Sequence, residues 1–199
     1  MALGLSLLVG VSCSSSSGSV TSSPGEARSL TVVGDSLSVL GRQPIRDSLG
    51  RAGWKVLIDA FPGRTTADQI PAMRYASSDP ARVVIIELGT NDAIQISEGH
   101  LEPAHAFASI DQALDLFAGR CIVWVTPDRD PQRRGAMNGT RIAAELTAQA
   151  AKRPNLHIAD FASVLADHPE YLLDDQVHLT DDGSQALADL MTDAIATCR

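Results

Sequence analysis

Five short apolar runs punctuate the chain: Leu30–Val33, Val56–Ala60, Val83–Leu88, Ile122–Thr126 and Leu156–Ile158. Each is rich in Val and Ile and nearly continuous in apolar character, as strands covered on both faces of a parallel sheet are. Between them apolar residues recur at helical spacing. Phe107, Ile110, Leu114 and Phe117 form one stripe, Ile142, Leu146 and Gln149–Ala150 a weaker one, and Leu187, Leu190, Met191, Ala194 and Ile195 the last. Pro44 suits the first turn of a helix ending near Gly53. Thr180 is placed to cap the final helix, with Asp181 and Asp182 at its positive end. The alternation predicts an α/β three-layer sandwich around a parallel sheet with right-handed crossovers. Ligands of such sheets gather at the carboxyl ends of the strands, so the residues just after each run carry the functional information.

Composition narrows the classes. With 199 residues, 44% of them apolar and 20% charged, the chain suits one globular domain with a real core. A net charge of −8 argues against a nucleic-acid partner. No apolar run reaches the roughly 20 residues of a membrane-spanning helix. Three cysteines are too few for a disulfide scaffold and lack zinc-finger spacing.

The amino-terminal stretch is a separate unit. Residues 1–12 are apolar and uncharged, Cys13 follows, and a tract of Ser, Gly, Thr and Pro leads to a domain over residues 29–199. The order resembles a bacterial lipoprotein export signal, which implies lipidation of Cys13, with residues 13–28 as a flexible tether. It departs from that pattern at Gly10 and in having no Lys or Arg before the apolar run, and an ordinary secretory signal reads similarly. The resemblance implies an exported protein whose only membrane contact is this anchor.

Four turns follow the runs. Gly34-Asp35-Ser36 leaves the first, where a serine hydroxyl either stands exposed at the sheet rim or merely caps a helix. Phe61-Pro62-Gly63-Arg64 leaves the second, offering either a bare amide to a ligand or a simple turn. Gly89-Thr90-Asn91-Asp92 leaves the third, with an amide side chain that either donates to an oxyanion or closes its own turn. Asp175-Gln176-Val177-His178 precedes the last helix and sets a carboxylate three residues from an imidazole. Each is weak alone. Together they supply a nucleophile, oxyanion donors, a general base and its orienting acid, the parts of an acyl-transfer centre that needs no cofactor.

Across most of Leu30 to Ile195 these blocks resemble the SGNH (GDSL) hydrolase family in order and spacing. The resemblance implies a flavodoxin-like five-stranded sheet of order 2-1-3-4-5. It implies Ser36, Asp175 and His178 as the catalytic residues, and Ser36, Gly63 and Asn91 as the oxyanion hole. Asp174 stands beside Asp175 as the competing carboxylate. The stretch Asp59–Arg64, with Asp175–Thr180 far downstream, also looks somewhat like SGNH domains attached to bacterial cell-surface O-acyltransferases. The expected activity is therefore a serine esterase acting on small acyl esters, including acylated carbohydrate, at the bacterial cell envelope. The alternative is an O-acyltransferase on cell-wall sugars that works with a separate membrane partner.

Three further features carry competing readings. His100, Glu102 and His105 lie close together but read as a solvated helix end before a metal site. Arg129, Arg133 and Arg134 either line the site for an anionic substrate or form a solvated basic loop. In an exported protein Cys121 and Cys198 either pair, or Cys121 is a small buried residue.

Overall fold

The computed structural model describes residues 28–79, 81–134 and 136–198. Five strands, β1 (Arg28–Gly34), β2 (Trp54–Ala60), β3 (Val83–Glu87), β4 (Cys121–Val125) and β5 (Leu156–Ala159), form one parallel sheet in the order β2-β1-β3-β4-β5. Among the described residues eight α-helices connect and flank them: α1 (Ser36–Leu40), α2 (Arg42–Arg51), α3 (Thr66–Ala76), α4 (Thr90–Ser97), α5 (Pro103–Leu116), α6 (Ala136–Ala150), α7 (Phe161–Asp167) and α8 (Asp181–Ile195). Cys13 and the export-like segment lie outside the described residues.

The period-2 alternation of the strands divides the core into two layers. Leu30, Val32, Ile58, Ile85 and Val123 face Ile45 and Leu49 of α2, and Leu187, Met191 and Ile195 of α8. Val33, Val84, Ile86, Ile122 and Trp124 face Met73 of α3, Ile110 and Leu114 of α5, and Ile142 and Leu146 of α6. Both faces are covered, which is why the strands read as unbroken apolar runs. Cys121 and Cys198 form a disulfide that ties the residues after α8 to the start of β4.

The order 2-1-3-4-5 puts β1 between β2 and the central strand β3. The turns after these three strands therefore meet at one rim. Gly34 is required there by contact: a Cβ on it would lie 2.2 Å from Ser38 Oγ.

Candidate active site

At the end of β1 the chain turns sharply into α1. Asp35 caps that helix, its Oδ1 accepting from Leu37 N–H at 3.0 Å. Ser36 follows as the first helical residue, so its hydroxyl stands at the rim while Asp35 is fully buried behind it. The cap of this turn is thus Asp35, and Ser36 stands half-buried beside it.

A loop between α7 and α8 brings the imidazole to Ser36. A 3₁₀ turn at Pro169–Tyr171 opens it, and Leu172 and Leu179 then pair as an antiparallel bridge. Leu173 N–H donates to His178 C=O at 2.8 Å, and Thr180 N–H to Tyr171 C=O at 2.8 Å. Gln176 closes the tip with φ of 59°, in the left-handed region that non-glycine residues seldom adopt. Asp175 organises the interior of this loop. Its Oδ1 accepts from Val177 N–H at 3.0 Å and His178 N–H at 2.9 Å, while Oδ2 lies 2.6 Å from His178 Nδ1. His178 Nε2 is 3.0 Å from Ser36 Oγ. The imidazole is thus held between carboxylate and hydroxyl, with Nδ1–H toward Asp175 and Nε2 free to take the serine proton. The hydrogen bond from the His178 ring, aided by the two main-chain N–H groups, lowers Asp175 to about 2. Asp174 makes none of these contacts.

Asn91 lies in the first turn of α4, where its Nδ2 donates to Asp35 Oδ2 at 2.8 Å. An amide nitrogen carries two protons, so one bond to Asp35 leaves the other to donate. Asp92, next in sequence, is buried and accepts from Thr66 N–H at 2.9 Å and Thr66 Oγ1 at 3.1 Å. Those bonds tie α4 to the start of α3, just past the Gly63 loop. Thr65 and Asp68 close that start with a capping box. Gly63 has φ of +73° and is exposed, and the loop begins where Phe61 N–H donates to Gly34 C=O at 3.2 Å. A glycine suits the left-handed conformation adopted here.

Burial raises Asp35 to about 6, against the hydrogen bonds from Leu37 and Asn91, and raises Asp92 to about 6 as well. Glu87, at the end of β3 beneath the turn, is pushed well above the carboxylate range by burial and by the charge of Asp35. A small cleft beside the nucleophile turn and the histidine loop is walled by Leu37, Thr90, Val125, Phe161 and Val177, with Glu87 in its lining.

Of the other candidates, Arg134 stands in the lining of that cleft. His100 is exposed and pairs with Glu98. Among the described residues, the metal-type donor cluster is Cys121, His157 and Cys198, whose two sulfurs are bonded to each other. The basic loop is neutralised: Arg129 pairs with Asp160, Arg133 with Asp128 and Asp130, and Arg134 with Glu98.

Residues 27–186 match the profile of the GDSL-like Lipase/Acylhydrolase family. The chain belongs to that family. Within it, this GDSL-family chain is 31% identical over 143 residues to O-acetyltransferase OatA of Staphylococcus aureus, covering 70% of this chain and 21% of that protein. The chain thus spans about a fifth of the length of that relative. Its fold matches the C-terminal catalytic domain of Streptococcus pneumoniae peptidoglycan O-acetyltransferase A, with a TM-score of 0.70 at 24% identity over 87% of this chain and 95% of that one. It also matches Axe2, an acetylxylan esterase from Geobacillus stearothermophilus, with a TM-score of 0.68 at 18% identity over 86% and 95%.

Two features of the site were not legible as function. Glu87 ends an otherwise apolar strand, and a buried lone carboxylate is rare enough to have been a signal. The pairing of Asp35 with Asn91 gives no local sign, because 56 residues separate them.

Proposed function

We propose that this domain is a serine acyl-ester enzyme that cleaves small, acetyl-type esters on carbohydrate through an acyl-enzyme on Ser36. The observation that carries the reading is the unbroken chain from Asp175 through His178 to Ser36, with contacts of 2.6 and 3.0 Å. His178 takes the proton of Ser36 as Oγ attacks the ester carbonyl, then returns it to the leaving alcohol. Asp175 fixes the imidazole and stabilises its cation. The N–H groups of Ser36 and Gly63 and the Asn91 amide receive the oxyanion. Water, approaching by the same histidine, releases the acid.

Transfer to a sugar hydroxyl is the second reading, favoured by the likeness to peptidoglycan O-acetyltransferases. The same names favour the cell envelope as the place of action, and Cys13 as lipid anchor rests on the sequence pattern alone. In either reading Ser36→Ala lowers kcat on an acetyl ester by about 10⁴-fold or more. Incubation with an acetyl ester, with and without sugar acceptors, separates the two. Free acetate as the main product supports hydrolysis, and acetyl-sugar as the main product supports transfer. A Ser36→Ala protein with wild-type turnover would overturn both.

A further inference from the structure

The nucleophile turn rests on a buried acid that the catalytic chain does not require. Glu87 is 3% exposed, yet one oxygen, Oε2, accepts three hydrogen bonds from the Ser36 turn. Ser38 Oγ donates at 2.8 Å, Ser38 N–H at 3.1 Å and Asp35 N–H at 3.4 Å. These donors bracket Ser36 on both sides in sequence. The second oxygen is not engaged by the turn, and Glu87 lines the adjoining cleft. One further acid, Asp35, acts on Glu87 from the turn itself, and Asp92 of α4 in turn acts on Asp35, while none of the hydrogen bonds or ion pairs of Glu87 involves a cation. A dry carboxylate with an acid neighbour and no cation is a costly arrangement, whereas a neutral carboxyl group still presents one carbonyl-type oxygen to three donors.

We propose that Glu87 is a positioning residue that acts as a neutral acid, pinning the Gly34–Ser38 turn to β3 so that the hydroxyl and N–H of Ser36 meet the substrate carbonyl in register. It touches no reacting atom. Asp35, in the same turn, holds Asn91, so two buried carboxyl groups divide the work of fixing nucleophile and oxyanion donor. This inference rests on Ser36 being the nucleophile.

The test compares Glu87→Gln, which copies the neutral acid in shape and keeps one acceptor oxygen, with Glu87→Met, which keeps the volume and removes the acceptor. Misplacement of the turn by about an ångström corresponds to a loss of roughly 10²-fold. Glu87→Met should therefore lower kcat on an acetyl ester by about 10–100-fold with little change in KM, and slow fluorophosphonate labelling of Ser36 in the same ratio. Glu87→Gln should restore most of that loss. A Met variant with wild-type kcat, or a Gln variant as slow as Met, overturns the proposal. If the Met variant does not fold, Ser38→Ala takes its place: a several-fold fall in kcat at constant KM supports the clamp, and an unchanged kcat overturns it. Wild-type protein that neither cleaves esters nor labels at Ser36 overturns the functional reading as well, whereas normal Ser36-dependent activity beside an indifferent Glu87→Met variant overturns this inference alone.

Discussion

The disulfide and the candidate site sit at opposite ends of the sheet, so stability and catalysis should separate when the bond is removed. Cys121 opens β4 at its amino end, whereas Ser36, Asn91 and His178 gather at the carboxyl rim. The bond closes a loop with a sequence separation of 77, holding α8 and the chain after it against β4. Loop-closure entropy for that length is roughly 15 cal/mol/K, or about 4.5 kcal/mol at 25 °C, within reach of the ~2–5 kcal/mol typical of native disulfides. For a domain of this size that loss lowers Tm by about 9–18 °C. The perturbation is Cys121→Ala with Cys198→Ala. The assay is urea unfolding followed by tryptophan fluorescence, for which Trp124, fully buried in the core, is a native reporter. The uncrosslinked variant should unfold at lower urea with a steeper transition, because its unfolded chain exposes more surface. Its kcat on an acetyl ester at 25 °C should be unchanged. A stability loss under about 1 kcal/mol would refute the loop-closure argument. A kcat that falls while the protein stays folded would refute the separation of the two ends.

Other perturbations test the site directly. Asn91→Ala should cost about 10²–10³-fold in kcat, the value of one oxyanion donor, and a loss confined to KM would contradict that role. Asp175→Ala should impair turnover severely while Asp174→Ala should not; equal effects in steady-state assays would mean that the bond to His178 is not the deciding feature. Asp92 tests the buried acids through stability. Its pKa is raised from 3.8 to about 6 by burial, so its contribution to stability is present below pH 3.8 and lost as pH rises through 6. That loss amounts to about 3 kcal/mol, and Asp35 adds to it in the same direction. Asp175, lowered to about 2, acts only beneath that window. Asp92→Asn should flatten the fall in urea midpoint between pH 4 and 7, and an identical slope in both proteins would sink the argument.

The sheet was readable because both of its faces are buried. Val, Ile and Leu fill the two layers with few polar interruptions, so each strand announced itself as an unbroken run, and the strand-to-helix rhythm set the architecture. Strand ends were less clear. β1 takes in Arg28 and Ser29, which pair in register with Trp54 and Lys55 although neither is apolar, and β2 extends back to Trp54. The short helices α1, α4 and α7 were missed because they have too few turns to show a periodic stripe. Asp35, Ser36 and Asn91 were assigned to turns yet stand at helix starts, where capping chemistry and turn chemistry use the same residue types. In the site, Ser36 after a buried strand and the Asp175–His178 pair were weak signals singly and became legible only together, in an order and spacing that resemble the SGNH family. The supporting bonds from Glu87 to Ser38, Asp92 to Thr66 and Gln69 to Gly34 span 49, 26 and 35 residues and depend on packing alone.

The two halves of the site are built differently, and the difference bears on what accepts the acyl group. Ser36 and Asn91 are mounted on the sheet through buried groups, Asp35, Glu87 and Gln69, so the acyl-forming side is fixed before substrate arrives. His178 and Asp175 instead sit on a surface loop, with side chains 34% and 51% exposed. On the proposed chemistry the acyl-enzyme is discharged by whatever hydroxyl reaches His178 Nε2, and an exposed imidazole is open to water. Hydrolysis therefore needs nothing beyond the domain itself. Transfer to a sugar needs the acceptor held against that nitrogen in near-attack geometry, where effective molarities of about 10⁵–10⁸ M let a bound hydroxyl outrun water. Leu37, Thr90 and Val177, each next in sequence to Ser36, Asn91 or His178, wall a cleft that could hold such an acceptor. The ratio of acetate to acetyl-sugar should accordingly respond to substitutions in that wall, such as Thr90 or Val177, and not to the buried groups that set the nucleophile.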